Sequence, residues 1–510
     1  GEGRRAAPRM PGILSRRPML FNSYAFLFLF LPITLFGFFS LSRMGQSLAA
    51  GWLALSSLLF YGFWDARYVT LLLGSIACNF GFGWWLSHAH ASGRAWLKRR
   101  VLQVAIGVNL SLLAYFKYAN FFIDNLSALV GVHWTMAAIV LPMGISFFTF
   151  TQIAFLVDAH EGKVREHNPV HYVLFVTFFP HLIAGPVLHH KDMMPQFASP
   201  ATYRIQWGNV ATGLLLLTLG LCKKTLLADE FAPYATAIFQ AAGRGDVPLT
   251  TYEAWAGALA YTFQIYFDFS GYTDMALGIA LMFNVRLPTN FNSPYKATSI
   301  IEFWRRWHIT LSTFLRDYLY IPLGGNRHGS VRRHANLMTT MLLGGLWHGA
   351  GWTFVIWGGL HGLYLVVNHL WQAATQRGWV GWPPGWGGRI LGGMLTFVAV
   401  VSAWVFFRAD NVPQAIALLK AMYGIDARGI SWELVTHGHL IDVVAMSSQV
   451  LARLLVVGGL WVWLLPNASR LAFSERGPFF TLLQVLGVCA LLQVVIDRFG
   501  HYSPFLYFQF

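Results

Sequence analysis

Apolar stretches long enough to cross a membrane as a helix recur along nearly the whole chain. A crossing needs about 20 apolar residues, and such stretches lie near residues 20–42, 48–64, 67–87, 101–122, 137–157, 170–188, 208–228, 254–283, 337–371, 389–407, 451–466 and 479–499. The stretch at 337–371 is long enough for two crossings or a broken pair, and Pro and Gly interrupt several others. The pattern predicts an all-α polytopic membrane protein with about 11 to 13 membrane segments, some of them re-entrant.

Charged residues are too few to cover a soluble protein of this size. Of 510 residues, 56% are apolar and only 11% are charged, whereas soluble domains carry roughly 25% charged residues. The net charge of +15 is not gathered in a polar domain, so it predicts basic cytoplasmic loops that face anionic lipid rather than nucleic-acid binding. The three cysteines are isolated within apolar stretches and give no disulfide or metal pattern.

The N-terminal residues differ from the rest of the chain. Residues 1–18 contain five arginines and are predicted to be a disordered basic arm, followed by one membrane domain at 19–510. The apolar stretch after residue 18 is too long for a signal-peptide core, so we interpret it as a retained first span. The basic cluster at 94–100 is expected on the cytoplasmic side, whereas the arginines of the arm favour a cytoplasmic N-terminus. The orientation of the N-terminus therefore stays open.

Residues 284–336 form an amphipathic basic region. Its basic residues outnumber the acidic residues Glu302 and Asp317: Arg286, Lys296, Arg305, Arg306, Arg316, Arg327, Arg332 and Arg333. The region is predicted to lie on or dip into the cytoplasmic face. Ser299 with Glu302 three residues later predicts a capped helix start. On a continuous helix, Arg305, His308 and Ser312 would share one face.

Two histidines are candidates for acid–base chemistry because of their settings. His308 lies in EFWRRWHITLSTFLRDYLYIPLGGNR, and His348 lies in the glycine-rich LLGGLWHGAGWTFVIWGGLHG. An ionisable group at membrane depth is costly and indicates function, and an imidazole titrates near neutral pH. A lone histidine in a span is also often a hydrogen-bonded packing residue, so spacing alone leaves both interpretations open. His361 lies some 140° from His348 round a straight helix and is expected to face elsewhere.

Asp268 and Asp274, in FQIYFDFSGYTDMALG, are the other charges expected to be buried. With Gln264, they would be either hydrogen-bonded structural groups or groups that line a tunnel. The structural interpretation is favoured over a catalytic one.

These residues belong to runs that resemble a known family. YFDFSGYTDMALGIALMFNVRLPTNFNSPYKATSIIEFWRRWHITLSTFLRDYLYIPLGGNR and GLWHGAGWTFVIWGGLHG resemble the core of the membrane-bound O-acyltransferase (MBOAT) superfamily, and its bacterial alginate O-acetylation branch most closely. LFNSYAFLFLFLP, FFPHLIAGPVLHH and WVFFRADNVPQAIALLKAM match the same branch. The resemblance spans nearly the whole chain from about residue 19. It implies a ring of helices around a central tunnel that joins the two membrane faces.

The resemblance also implies the site. His348, in the catalytic-histidine segment 337–371, corresponds to the family's near-invariant catalytic histidine, and His308 to a second family position. The substrate-binding residues implied are Arg305, Arg306, Ser312, Arg316, Arg327, Trp347, Asn292 and Asp268. The arginines are expected to attract coenzyme A phosphates, and Trp347, Trp352 and residues 264–274 are expected to line the tunnel. No metal site and no permanently bound cofactor are expected.

The implied function is acetyl transfer from cytoplasmic acetyl-CoA at the bacterial inner membrane. The final acceptor would be an exopolysaccharide such as alginate or cellulose, reached directly or through periplasmic acetyltransferase proteins. One alternative is the D-alanyl transferase of teichoic acid modification, which shares both histidines but is usually a shorter chain. A second is a proton-coupled transporter or flippase in which Asp268, Asp274 and the histidines relay protons, and a third is a structural scaffold. The region after residue 389 favours polysaccharide acetylation.

Overall fold

The computed structural model describes residues 19–88, 95–132, 134, 139–164, 166–245, 249–383, 385–425, 447–473, 478–498 and 505–506. The basic arm predicted at 1–18 lies outside the described residues. This part of the chain is helical, contains no β-strand and forms 19 helices. In chain order they are α1 Ala25–Ser42, α2 Gln46–Gly62, α3 Arg67–His88, α4 Ala95–Val130, α5 Ile145–His160, α6 Pro169–Thr177, α7 Phe179–Leu182, α8 His190–Ala198, α9 Trp207–Arg244, α10 Thr251–Met282, α11 Ile300–Trp304, α12 Ile309–Leu315, α13 Gly329–His348, α14 Trp352–Gln376, α15 Gly385–Arg408, α16 Val412–Met422, α17 Ser448–Leu464, α18 Ala468–Ala472 and α19 Pro478–Asp497.

The predicted apolar stretches coincide with helices. By length and composition, 5 of the described helices are able to cross a membrane, namely α1, α3, α4, α9 and α15. Other apolar helices, such as α5 and α17, are shorter. The stretch at 337–371 is a broken pair, α13 and α14, and the stretch at 170–188 is divided between α6 and α7. The polytopic all-α fold is confirmed, and the number of crossings stays a prediction.

Helix α10 lies at the centre of the fold and is buried on nearly every side. It starts in a capping box, in which the Thr250 hydroxyl accepts from the Glu253 backbone N–H at 3.2 Å and the Glu253 carboxylate accepts from the Thr250 N–H at 3.0 Å. Helix α9 packs against it where glycines allow the two backbones to touch. A Cβ on Gly213 or on Gly220 would lie 2.5 Å from a carbonyl oxygen of α10. Small residues at such contacts are typical of membrane helix pairs.

Two buried ion pairs join α9 to α10. Lys223 Nζ lies 2.5 Å from Asp274 Oδ2, and Lys224 Nζ lies 2.7 Å from Asp268 Oδ1. Asp268 Oδ2 also accepts from the backbone N–H of Leu506 at 2.9 Å. Both aspartates are thus held by charge and hydrogen bonds, and the substrate-binding role named for Asp268 stays a prediction. The lysine partners were missed by the sequence analysis.

A double-variant measurement tests the structural role of the Lys223–Asp274 pair. Replacing Lys223 alone with methionine leaves a buried carboxylate without its cation, so we expect the protein to lose about 3–5 kcal/mol of stability. The double variant Lys223→Met/Asp274→Leu removes both charges and should lose less than the single variant. Thermal unfolding of the purified proteins in detergent measures both losses. A double variant less stable than the single variant would contradict this account.

Candidate active site

The segment between α10 and α12 holds His308 in a backbone conformation that is uncommon for a residue other than glycine. Helix α11 ends at Trp304, and α12 begins at Ile309 after His308, which has φ 44° and ψ 53°. Left-handed backbone at a non-glycine residue costs on the order of 1–3 kcal/mol and is concentrated at functional sites. The predicted common face of Arg305, His308 and Ser312 is therefore wrong, because no continuous helix connects them.

Asn290 fixes the orientation of the His308 ring. Its Oδ1 lies 3.1 Å from His308 Nδ1 and also accepts from the Thr310 backbone N–H at 3.2 Å and from the Thr310 hydroxyl at 3.0 Å. An amide oxygen only accepts, so Nδ1 of His308 donates, and Nε2 is the acceptor nitrogen of the neutral ring. The sequence analysis named Asn292 instead. Asn292 is exposed, and nothing in the local pattern distinguishes the two asparagines.

His348 is the last residue of α13, at a break that folds α14 back against it. The backbone at Gly349 is extended, with φ −161°, so any residue type could adopt its conformation. The glycine is needed for space, since a Cβ there would lie 2.1 Å from the Phe354 ring. Further along the helical hairpin formed by α13 and α14, a Cβ on Gly345 would lie 3.0 Å from Gly358 Cα. The two helices therefore pack backbone to backbone beside the histidine.

The structure brings together the two histidines predicted from the sequence. The ring centroids of His308 and His348 lie 6.3 Å apart, and only 1% and 4% of these residues are exposed. Aromatic rings surround His348, with centroids at 4.9 Å for Trp347, 5.1 Å for Trp357 and 5.2 Å for Phe407. Electrostatic interactions are stronger in such a buried, low-dielectric environment than in water.

His361 belongs to the same aromatic cluster, although the sequence predicted that it faces elsewhere. The Trp357 ring centroid lies 4.9 Å from that of His361 and 5.1 Å from that of His348. The Trp304 indole N–H donates to His361 Nδ1 at 3.3 Å. The straight-helix argument is wrong because the helix breaks at 349–351.

The two tryptophans beside the break have different surroundings. Trp347 is buried and stacks on Phe150 with centroids 5.5 Å apart, and its indole Nε1 has no hydrogen-bond acceptor within the described part of the chain. Trp347 therefore offers a buried donor at the histidine pair. Trp352 is 57% exposed and donates to Asn125 Oδ1 of α4 at 2.8 Å.

Three of the predicted donor-binding arginines lie on the surface. Arg305, Arg316 and Arg327 are all exposed, and Arg316 Nε lies 2.6 Å from Asp317 Oδ1. The partly buried Ser312 hydroxyl donates to the Trp307 backbone oxygen at 3.4 Å. These arginines are accessible to an anionic ligand, and none is drawn into the histidine pair.

Arg306 is engaged in the cap of α11. Its Nη2 lies 2.7 Å from Glu302 Oε1, and its Nη1 donates to the Asn292 backbone oxygen at 3.1 Å. The Ser299 hydroxyl accepts from the Glu302 N–H at 3.2 Å, which confirms the predicted helix start. Burial acts to raise the pKa of Glu302, but hydrogen bonds from Thr298 and Arg306 outweigh it and lower that pKa overall. Arg306 thus has a structural role besides any contact with substrate.

The structure also locates cavities away from the histidines. One of about 950 Å³ lies between α14 and α15, and one of about 570 Å³ lies between α3 and α4. Neither is lined by His308 or His348, so the predicted central tunnel stays a prediction. Within the described residues, no group of three His, Cys, Asp or Glu side chains is placed to hold a metal ion.

Comparison with known proteins adds information on this site. The profile described as "MBOAT, membrane-bound O-acyltransferase family" matches residues 132–401, which include both histidines. The chain is 39% identical to the "Peptidoglycan O-acetyltransferase" of Helicobacter pylori, over 96% of this chain and 98% of the relative. It is 38% identical to the "Probable alginate O-acetylase AlgI" of Pseudomonas putida, over 96% of this chain and 100% of the relative. It is 24% identical to the "Teichoic acid D-alanyltransferase" of Bacillus subtilis, over 46% of this chain and 60% of the relative.

Proposed function

The chain belongs to the membrane-bound O-acyltransferase family, and on this premise we propose that it moves acetyl groups from acetyl-CoA to the hydroxyls of a polysaccharide, with His348 as general base. Its multi-pass membrane character and its acyltransferase class follow from the family. The observation that supports the site is the buried pair formed by His308 and His348, whose ring centroids are 6.3 Å apart.

The proposed chemistry is a single acyl transfer. His348 takes the proton from an acceptor hydroxyl while the hydroxyl oxygen attacks the thioester carbonyl carbon. The carbon–sulfur bond then breaks, and the departing thiolate takes the proton from the His348 imidazolium, so an acetyl ester and free coenzyme A result. The single proton of the reacting hydroxyl goes to His348, so His308, with Nε2 as its acceptor nitrogen, is suited to accepting from a neighbouring hydroxyl of the acceptor and thereby orienting it. The Trp347 indole N–H is suited to stabilising the negative charge that develops on the carbonyl oxygen.

We place the donor on the cytoplasmic side of the bacterial inner membrane. The exposed Arg305, Arg316 and Arg327 are typical of a cytoplasmic face and complement the phosphates of coenzyme A. Arg327 lies just before the start of α13, whose last residue is His348. Helix α13 therefore connects the exposed arginine at 327 with His348, the proposed general base.

The acceptor class is supported by the relatives. Those matched over nearly the whole chain are named for O-acetylation of alginate or peptidoglycan, so we propose a sugar hydroxyl of an extracellular or cell-wall polysaccharide. Periplasmic acetyltransferase proteins are the proposed intermediates between this enzyme and the polymer.

Two rival functions are less well supported. The D-alanyltransferase relative aligns with only 46% of the chain, whereas the acetylases align with 96% of it. A proton-coupled transporter would need Asp268 and Asp274 to titrate in a relay. Both are instead held in ion pairs with neighbouring lysines, at 2.7 and 2.5 Å.

A sidedness measurement tests the proposed direction. Protein is reconstituted into vesicles, and its orientation is read by labelling a Ser330→Cys variant with an impermeant maleimide. Ser330 is exposed, and the native cysteines of this variant are replaced by serine. We expect external acetyl-CoA to release coenzyme A only from the population with residue 330 outside. The label is expected on polysaccharide that is enclosed in the lumen together with a periplasmic acetyltransferase protein. Release from the oppositely oriented population alone would contradict the proposed direction.

A further inference from the structure

We propose that Lys117 is a positioning residue of the acyl-transfer site, which holds the end of α13 so that the His348 imidazole faces the substrate. This inference rests on the proposed role of His348. Lys117 lies on α4, which the sequence analysis did not connect with the site.

The contacts of Lys117 are concentrated on the last residues of α13. Its Nζ donates to the backbone oxygen of Trp347, to the backbone oxygen of His348 at 3.3 Å and to the Ser146 hydroxyl at 3.3 Å. The same ammonium lies 5.7 Å from the centroid of the Trp347 ring. The next residue, Tyr118, donates its hydroxyl to the Leu346 backbone oxygen at 2.8 Å. Three successive carbonyls are thus held by two neighbouring side chains.

The helix break explains why these carbonyls need donors. The last carbonyls of a helix have no partner within it, and they carry a partial negative charge that favours a cation. Trp347 and His348 are buried, and an unpaired backbone carbonyl away from water is costly. Because α13 stops at His348, its end would otherwise be unsatisfied at the residue proposed to do the chemistry.

The number of N–H donors on Lys117 favours a positioning role for this residue over direct binding of the substrate. A lysine ammonium has three N–H donors, and Lys117 has three acceptors, on Trp347, His348 and Ser146. No donor is left over for a phosphate or a thioester oxygen. Lys117 therefore acts on the reaction through the backbone of His348 and through the Trp347 ring.

Lys117 and Tyr118, the two side chains that contact the end of α13, lie on an irregular turn of α4. Residues Ala114–Tyr118 of α4 form a π-helical turn, a feature found frequently at functional sites. Around it, Lys117 and Tyr118 both reach the end of α13 although they are consecutive residues.

The experiment compares turnover and the Michaelis constant for acetyl-CoA in four purified variants. Lys117→Met keeps the length of the side chain but removes the charge and the donors. We expect its kcat to fall about 10- to 100-fold, because small misplacements of catalytic groups are costly, while KM stays within about twofold. Lys117→Arg keeps a cation and is expected to recover part of the lost kcat, and Tyr118→Phe to lose less than Lys117→Met.

Lys98→Met is the matched control. Lys98 is a buried lysine of the same helix, 19 residues and therefore about 28 Å from Lys117, and wild-type kcat is expected for this variant. Wild-type kcat in Lys117→Met, or a raised KM with kcat unchanged, would overturn the inference while leaving the proposed function intact. If Lys117→Met does not fold, Lys117→Gln, which removes the charge and is too short to keep all three contacts, takes its place, and wild-type kcat in Lys117→Gln would overturn the inference. Absence of turnover in the wild-type protein would instead count against the proposed function itself.

Discussion

Replacement of His348 by alanine is expected to lower acetyl transfer to the polysaccharide by about 10²- to 10⁴-fold, the usual contribution of a general base. His348 is buried among three aromatic rings and faces His308, and its loss removes the proposed base from this buried position. The measurement is the number of acetyl groups per sugar in the polymer made by cells that express the variant, normalised to the amount of protein in the membrane.

A second histidine of the same hairpin serves as the matched control. His369 lies on α14, 21 residues after His348, and is only partly buried. His369→Ala is expected to leave acetylation at the wild-type level. Retention of more than about half the wild-type acetylation by His348→Ala would remove the general-base assignment, since a base contributes at least about 10²-fold.

The second large effect is expected at Gly349. A Cβ at this position would lie 2.1 Å from the Phe354 ring, and that ring packs on Phe407 with centroids 5.1 Å apart. The same Phe407 ring contacts His348. Gly349→Leu should therefore displace the aromatic rings around the imidazole, and we expect turnover to fall by at least about 100-fold. The measurement is kcat of the purified variant in detergent.

Gly351 provides the control for this prediction. Its backbone is also extended, with φ −164°, but a Cβ there would have no neighbour closer than 3.6 Å. Gly351→Ala is expected to keep wild-type turnover, and Gly349→Ala to lose much of it. Equal turnover in the two alanine variants would show that space beside Phe354 does not determine activity.

Elements of the fold that depend on local sequence were predictable. The apolar stretches coincide with helices, and the Ser299 cap of α11 was readable because a hydroxyl and a carboxylate stand three residues apart. In a capping box the Glu302 carboxylate would accept from the backbone N–H of Ser299. It accepts instead from the backbone N–H of Thr298, one residue earlier. The local pattern thus predicts where the helix starts, whereas the backbone N–H that the carboxylate binds depends on the conformation of the preceding residues.

The breaks in the helices were not predictable from periodicity. The left-handed backbone at His308 is stabilised by Asn290, which lies 18 residues earlier in the chain. The break after His348 brings His361 into the same cluster, which a straight helix would have kept apart. A periodicity argument assumes a continuous helix, so it is wrong where tertiary contacts interrupt one.

Lys117 could not be found by any local signal. It contacts the His348 carbonyl across 231 residues of sequence, and in the sequence it is one basic residue within an apolar stretch. The lysine partners of Asp268 and Asp274 were missed for the same reason. Buried charges are satisfied by residues that only the fold brings near, whereas a histidine in a glycine-rich span is visible in the sequence alone.

Release of free coenzyme A from labelled acetyl-CoA by the purified protein tests the central claim most directly. We predict that the wild-type enzyme, given a periplasmic acetyltransferase protein and a polysaccharide acceptor, releases one coenzyme A for each acetyl ester formed. We predict that His369→Ala does the same, and that His348→Ala releases coenzyme A at least about 10²-fold more slowly. Coenzyme A release by His348→Ala at the wild-type rate, or no release by the wild-type protein, would contradict the account.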